Sequence, residues 1–144
     1  MIYKDTKLGL ILIFIFCVLA ASGCARTKEW SKNFLGISTR EVEVARPKAP
    51  KKTFERDYDT CYKKVKDILK ETGSYIYAED KTQQLIAFYV SDTDTTVAGV
   101  FFTALDQGST RVEISSPSSS TRDALAAKIF ALLDKAFGAP KESE

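Results

Sequence analysis

The chain has 144 residues, of which 44% are hydrophobic and 28% charged, and its formal net charge is +2. This is the composition of one globular domain, and it excludes collagen-like, disulfide-rich and wholly disordered chains. The sequence contains no histidine, which excludes Ser-His-Asp and Cys-His catalysis, histidine-containing zinc sites and a histidine pH switch. A charge so close to zero gives no reason to expect nucleic acid as a partner.

The first 24 residues follow the three-part order of a secretory signal peptide. Lys4 and Lys7 precede an uncharged apolar stretch at 8–21, and Gly23 and Cys24 stand at its exit. The apolar stretch is shorter than the ~20 residues that a membrane-spanning helix needs, and its length is that of a signal-peptide core. The alternative is a plain transmembrane helix in which Cys24 is incidental.

Ala21-Ser22-Gly23-Cys24 resembles the lipobox of bacterial lipoproteins, although Ala21 stands where leucine is usual. The resemblance implies that residues 1–23 are a cleaved signal peptide and that Cys24 is the lipidation site. Acyl chains on that residue would hold the protein to a membrane, since each buried CH₂ contributes ~0.8 kcal/mol. Ala25, where an aspartate would retain a lipoprotein at the inner membrane, implies an outer-membrane location facing the periplasm.

Residues 24–52 are expected to form the lipidated N-terminus and a basic tether. Between residues 25 and 53 there are eight Lys or Arg and three Glu, whereas residues 54–144 have a balance of −4. Pro47 and Pro50 favour an extended linker. The tether is either a solvated spacer or a segment that lies on anionic head groups. Part of it could dock on the membrane or on the domain through its apolar residues, which are Trp30, Phe34, Leu35 and Ile37. The state of residues 41–45 is left open.

Cys61 is the cysteine that remains once Cys17 is removed with the signal peptide and Cys24 is acylated. It falls on the apolar side of a helical pattern, which predicts a small buried core residue. An intermolecular disulfide and a reactive thiol are the alternatives, although the chain has no histidine to activate a thiol.

Two helices and a series of strands are predicted for the rest of the chain. Asp57 is expected to cap a helix over 58–72, and Ser120 with Asp123 a second helix that ends near Phe137. Strand patterns occur at 74–79, 85–90, 96–105 and 110–115, after a short strand that ends near Phe54. Because the connections are of hairpin length, the sheet is expected to be antiparallel. The sequence thus predicts a two-layer α+β domain over 53–138, with four to five strands, two helices on one face, the order (β)αβββ(β)α and a tail at 139–144.

Several runs of this domain are similar to helix-grip modules in accessory lipoproteins of the outer-membrane assembly machinery. They are Asp57-Tyr58-Asp59, Gly73 with Tyr75-Ile76, and residues 111–116. The similarity covers about residues 53–137 and consists of packing motifs. It implies a fold and a cellular address, and no active site.

Phe101 and Phe102 are the candidate residues of a binding surface. As consecutive residues of one strand they point to opposite faces, and neighbouring strands are also apolar on both faces. The second face is therefore expected to be closed by curling of the sheet, or to meet the tether, a ligand or another chain.

The sequence predicts no catalytic residues, no metal site and no cofactor. Asp92 and Asp94 have the spacing that opens a calcium loop, but position six is Val97 and position twelve is Thr103, so a turn is expected instead. We therefore expect a non-enzymatic domain that binds or scaffolds another envelope protein. The alternative is a carrier or sensor of a small apolar ligand held between the sheet and the helices.

Overall fold

The computed structural model describes residues 39–106 and 108–138 of the chain, so that Cys24, the signal peptide and the tail lie outside the described residues. The described part has an α+β fold, as predicted. Its elements are α1 (Arg40–Ala45), a 3-10 turn (Arg46–Lys48), β1 (Lys51–Phe54), α2 (Tyr58–Glu71), β2 (Tyr75–Asp80), β3 (Leu85–Tyr89), β4 (Val97–Ala104), β5 (Thr110–Ser115) and α3 (Ser119–Phe137).

The five strands form one antiparallel sheet in the order β1-β5-β4-β3-β2. Three consecutive hairpins build β2 to β5, because the connecting turns are short and polar. The first strand then pairs with the last, Lys51 opposite Glu113 and Phe54 opposite Thr110. This arrangement confirms the predicted fold class and element order.

The two long helices cover one face of the sheet, which we call the helix face. Both are capped by a side chain: Asp57 accepts a hydrogen bond from the Thr60 amide, and Ser118 from the Thr121 amide. The second helix thus begins before the predicted cap at Ser120. Alternate strand residues and the inward sides of both helices form the core, which includes Cys61, Val65, Phe88, Val100, Phe102, Val112, Ile129 and Leu133.

The opposite face of the sheet, here called the second face, carries the short helix α1. Residues 40–52, which the sequence analysis places in the tether, are therefore part of the folded unit. Val42 is completely buried, and the Ser115 hydroxyl donates a 2.7 Å hydrogen bond to its carbonyl oxygen. Val44, two residues further along the helix, is 73% exposed. None of the helices in the described ranges is long and apolar enough to cross a membrane.

Candidate binding surface

Phe101 and Phe102 point to opposite faces, as their consecutive positions predict, and both are buried, with 2% and 1% exposure. The ring of Phe102 lies on the helix face, 5.3 Å from the ring of Tyr62. Phe101 lies on the second face, where the guanidinium of Arg46 stands 4.3 Å from its ring centre. Neither phenylalanine is therefore available at the surface. The helices α2 and α3 cover Phe102, and α1 with the following 3-10 turn (residues 40–48, here called the α1 segment) covers Phe101.

An ion-pair cluster fastens the α1 segment to the second face. Glu113 is 8% exposed, and one of its carboxylate oxygens accepts a 2.8 Å hydrogen bond from Arg46 Nε. The other oxygen lies 3.3 Å from Arg111 Nε on the same strand. A carboxylate this deeply buried needs such partners, since an unpaired buried charge is strongly destabilising.

Beyond α1, the second face carries a tyrosine cluster, formed by Tyr75, Tyr77 and Tyr89. The ring of Tyr89 lies 6.2 Å from that of Tyr75 and 4.6 Å from that of Tyr77. Tyr89 is completely buried, whereas the other two tyrosines, on the terminal strand β2, are half-buried. The aromatic surface therefore opens toward the β2 side of the sheet.

A β-bulge in β2 builds this cluster. Ile76 pairs with Phe88 and Ala78 with Ala87, so that Tyr77 is an extra residue between the two pairs. A bulge places two successive side chains on one face opposite a single residue of the partner strand, and here both Tyr77 and Ala78 pack on the second face. After the bulge, the alternation of side chains between the two faces is shifted by one residue, so that the side chain of Glu79 lies on the helix face.

On the helix face, Glu79 is held by two side chains of α2. The Tyr62 hydroxyl donates to Glu79 Oε2 at 2.8 Å, and Lys66 Nζ lies 3.0 Å from the same oxygen. Burial alone would raise the pKa of Glu79, but the hydrogen bonds from Lys66 and Tyr62 outweigh it, so that this pKa lies below its ordinary value. Burial, reinforced by the hydrogen bond to Glu79, raises the pKa of Tyr62 far above its ordinary value.

The two terminal strands of the sheet differ in chemistry. β1 carries Lys51 and Lys52, and Lys52 Nζ lies 2.6 Å from Asp134 of α3. Lysines on an edge strand discourage pairing with another chain. The first half of β2 instead presents Tyr75, Ile76 and Tyr77, all half-buried. The β2 side is therefore the apolar end of the sheet and β1 the charged end.

The predicted burial of Cys61 is confirmed: the residue is 0% exposed, and its Sγ lies 3.8 Å from the Arg56 carbonyl oxygen. Burial also raises the pKa of the thiol, which keeps it in the unreactive protonated form. In the loop before β4, Asp94 accepts hydrogen bonds from the amide and hydroxyl of Thr96, at 3.0 and 2.7 Å. Within the described ranges, no group of three or more potential metal-ligating side chains comes together.

Some parts of this surface could be predicted from the sequence and others could not. Tyr75 and Tyr77 stand two residues apart in a strand pattern, which places them on one face. Arg46 and Glu113 are separated by 67 residues, and no spacing or motif links them. The composition of the strands was the remaining evidence that the second face is covered, because the strands are too apolar for a sheet with one solvated face.

A scan against protein-family models finds no family that matches this chain, and a search of curated proteins finds no match. The function therefore has to be inferred from the N-terminal sequence and from the surfaces of the folded domain.

Proposed function

We propose that this protein is a lipid-anchored lipoprotein of the bacterial cell envelope, located at the outer membrane and facing the periplasm. Its domain binds another envelope protein and does not catalyse a reaction. The observation that carries the binding proposal is that three residues of the terminal strand of the sheet are only half-buried, Tyr75 and Tyr77 on the second face and Ile76 on the helix face.

A protein segment in extended conformation is the partner that suits this surface. In β-augmentation, an added strand pairs along the edge of a sheet while its side chains contact the exposed residues of that edge. Tyrosine is enriched at protein interfaces because its ring contributes apolar area and its hydroxyl stays hydrogen-bonded.

The lipobox-like sequence supports the anchor. Fourteen residues lie between Cys24 and Thr39, and a chain of that length spans at most about 50 Å when fully extended. An acylated Cys24 would therefore keep the domain close to the membrane surface, within reach of proteins embedded in it. The charge of residues 25–53 supports the same arrangement, since basic residues are attracted to anionic head groups.

The packing of the domain favours a surface over an internal cavity. The layer between the sheet and the long helices is filled by core side chains such as Phe102, Ile129 and Leu133, each at most 2% exposed. The charged groups nearest to the tyrosine cluster already bind their neighbours, Glu113 with Arg46 and Glu79 with Tyr62. These observations support protein binding rather than the carrier alternative.

Site-specific photo-crosslinking in the host's own membranes tests the proposal. A photoreactive amino acid at Tyr75 should give discrete adducts with another envelope protein. The same amino acid at Lys51, on the charged terminal strand, is the matched control and should give none. In Cys24→Ala, fatty-acid labelling should be lost, and the adducts should weaken because the domain is no longer held at the membrane.

Two results would contradict the proposal. Identical adducts from positions 75 and 51, or none from either position, would exclude the β2 side as the binding surface. Fatty-acid label that persists in Cys24→Ala would exclude this residue as the site of acylation.

A further inference from the structure

Four basic residues gather on the β1 side of the second face, and we call them the basic surface. Lys51 of β1 lies opposite Glu113 of β5, and Arg111 is two residues from Glu113 on the same strand, so that all three side chains point to the second face. Arg46 reaches the same carboxylate from the turn after α1, at 2.8 Å. Lys48, the last residue of that turn, completes the group.

The basic surface carries more positive charge than its carboxylate neutralises. Arg46 and Arg111 share Glu113, at 2.8 and 3.3 Å, and their side chains are still 38% and 37% exposed. Lys48 and Lys51 are exposed, and neither pairs with a carboxylate of the residues that the structure describes. Four cations and one carboxylate give this surface a local charge of +3.

The neighbouring carboxylates do not offset this charge. The side chain of Glu43 accepts a hydrogen bond from the Thr39 hydroxyl at the other end of α1, and Glu55 follows the end of β1. Between residues 44 and 54 the sequence has four basic residues and no acidic one. Lys52, the remaining basic residue of this stretch, points to the helix face and pairs with Asp134.

The chemistry of the basic surface suits lipid phosphate groups. Arg46 and Arg111 contact Glu113 through Nε, which leaves the N–H donors of their Nη atoms for an acceptor from outside the domain. A guanidinium binds phosphate through parallel N–H donors, and an ammonium binds it as a point charge. Two arginines and two lysines therefore provide both ways of holding an anionic head group.

The position of the anchor favours a membrane as the occupant over an acidic protein. Fourteen residues lie between Cys24 and Thr39, and Arg46 follows Thr39 by seven positions. A tether this short keeps Thr39 within about 50 Å of the bilayer, and it makes head-group binding an intramolecular step for which weak contacts suffice. We propose that the basic surface lies against the anionic head groups of the membrane, an inference that rests on the proposed lipid anchor at Cys24.

This contact gives the domain an orientation, which an anchor on a tether does not. The strands β1 and β2 are at opposite ends of the sheet, separated by four strand spacings, or about 19 Å. With the basic surface on the bilayer, the β2 end stands away from it. Tyr75 and Tyr77 are then accessible to an extended segment of a partner protein.

Energy transfer from the domain to the bilayer tests this orientation. The acylated full chain is reconstituted into vesicles that contain an acceptor-labelled lipid. A donor dye is attached to Thr53→Cys, opposite Arg111 on β1, or to Ala127→Cys, at an exposed position of α3. Cys61 is buried and stays unlabelled.

We expect more transfer from position 53 than from position 127 in vesicles made of equal amounts of phosphatidylcholine and phosphatidylglycerol. The difference should disappear in phosphatidylcholine alone, and high salt should also remove it because salt screens charges at a surface. The vesicles contain no other protein, so an acidic protein partner cannot produce this result.

A pair of charge-matched variants tests the residues. Lys48→Gln/Lys51→Gln should weaken the preference for the bound orientation about 30-fold, which corresponds to about 1 kcal/mol per lysine. Transfer from position 53 should then fall to its value in phosphatidylcholine. The control Lys63→Gln/Lys70→Gln removes the same charge from exposed positions of α2 and should leave the transfer unchanged.

Three results would overturn the inference. Equal transfer from positions 53 and 127 in the anionic vesicles would exclude this orientation and leave the anchor standing. A difference that persists in phosphatidylcholine, or in a Lys48→Gln/Lys51→Gln variant that is folded by circular dichroism, would show that the basic surface does not cause it. Failure of the chain to float with vesicles of either composition would overturn the inference together with the anchor. If the double variant does not fold, the salt dependence of the wild type decides.

Discussion

Gly99 is a point of close approach between the second face and α1. A Cβ atom at this position would lie 3.0 Å from Leu85 Cδ1 and 3.2 Å from Val42 Cβ, closer than side chains normally approach. We expect Gly99→Ala to lower the free energy of unfolding by about 1–3 kcal/mol, since overpacking forces neighbours out of position. Urea unfolding of the purified chain measures this loss.

A control and a double variant test whether the loss arises from the contact with α1. At Gly108 the nearest atom to an added Cβ is Asp106 Oδ1, at 3.8 Å, so Gly108→Ala should change stability by less than Gly99→Ala does. Val42→Ala removes Val42 Cγ2, which would lie 3.2 Å from the added Cβ, so Gly99→Ala/Val42→Ala should destabilise less than the sum of the single variants. Residues in contact are coupled in this way, and strictly additive losses would contradict the expectation.

Tyr62 makes the stability of the domain sensitive to alkaline pH. The folded protein raises the pKa of its phenol, so it holds the proton more tightly than the unfolded chain does. Its contribution is fully present below the ordinary value of about 10 and is lost as the pH rises above it. Above about pH 10, the free energy of unfolding of the wild type should therefore fall more steeply with pH than that of Tyr62→Phe.

The matched control is Tyr75→Phe, which removes a hydroxyl from the other face of the sheet and should decline as the wild type does. Parallel curves for the wild type and Tyr62→Phe would show that the phenol of Tyr62 does not produce the alkaline loss. The opposite sign applies to Glu79: because its pKa is lowered on folding, its contribution is present above the ordinary carboxyl value and disappears as acid protonates it.

At the scale of elements, α1 depends on its tertiary contacts. A helix of six residues is too short to be stable by itself, and Arg46 holds its C-terminal end to Glu113. We expect Arg46→Leu to lower the free energy of unfolding by about 1–3 kcal/mol, the range for hydrogen bonds to charged groups and their loss. Cleavage by a glutamate-specific protease after Glu41 and Glu43 should also become faster.

Lys48→Leu removes an exposed cation from the neighbouring turn and provides the control, with cleavage close to the wild-type rate. Unchanged cleavage in Arg46→Leu would mean that Val42 and Ser115 hold α1 without the ion pair.

Whether an element depends on local sequence or on tertiary contacts explains which elements could be predicted. The helix of residues 58–71 follows a period of 3.6 and β5 alternates with a period of 2. The strands β3 and β4 are short apolar runs bounded by polar turns, so the sequence alone located all four elements. Val42 and Val44 are two positions apart: a strand would place them on one face, whereas a helix places them on different sides. The alternation over residues 41–45 is too short to choose between the two. The contact with Gly99 and Ser115 decides between them, and it lies more than 50 residues away in the sequence.

The bulge in β2, like α1, could not be predicted from the sequence. A regular alternation through residues 75–80 would place Glu79 on the same face as Tyr75 and Tyr77. The extra residue at Tyr77 avoids this, because Glu79 then reaches Tyr62 and Lys66 on the helix face. No local rule marks the position of such a bulge, since the contacts of Glu79 that accompany it join residues 17 and 13 positions apart in the sequence.

At the scale of the whole molecule, the two faces of the sheet are closed by different means. Two long helices close one face with a continuous apolar core. The second face has the short helix α1, an ion-pair cluster and a smaller apolar cluster. The predicted two layers are confirmed, and α1 adds a partial third layer. The sequence indicated that both faces are apolar, but it could not show that residues 40–48 cover one of them.

The strand order also has a consequence for the time at which the domain is completed. Ribosomes make the chain from its N-terminus, so β1 exists long before β5, its partner in the sheet, which begins at Thr110. The hairpins from β2 to β5 can close as they appear, since short loops cost little entropy. Helix α1 must wait for the same strand, because Ser115 and Glu113 hold it. The first-made segment of the domain is thus fixed only after β5 has been made, and until then the second face is open to any chaperone that accompanies the chain.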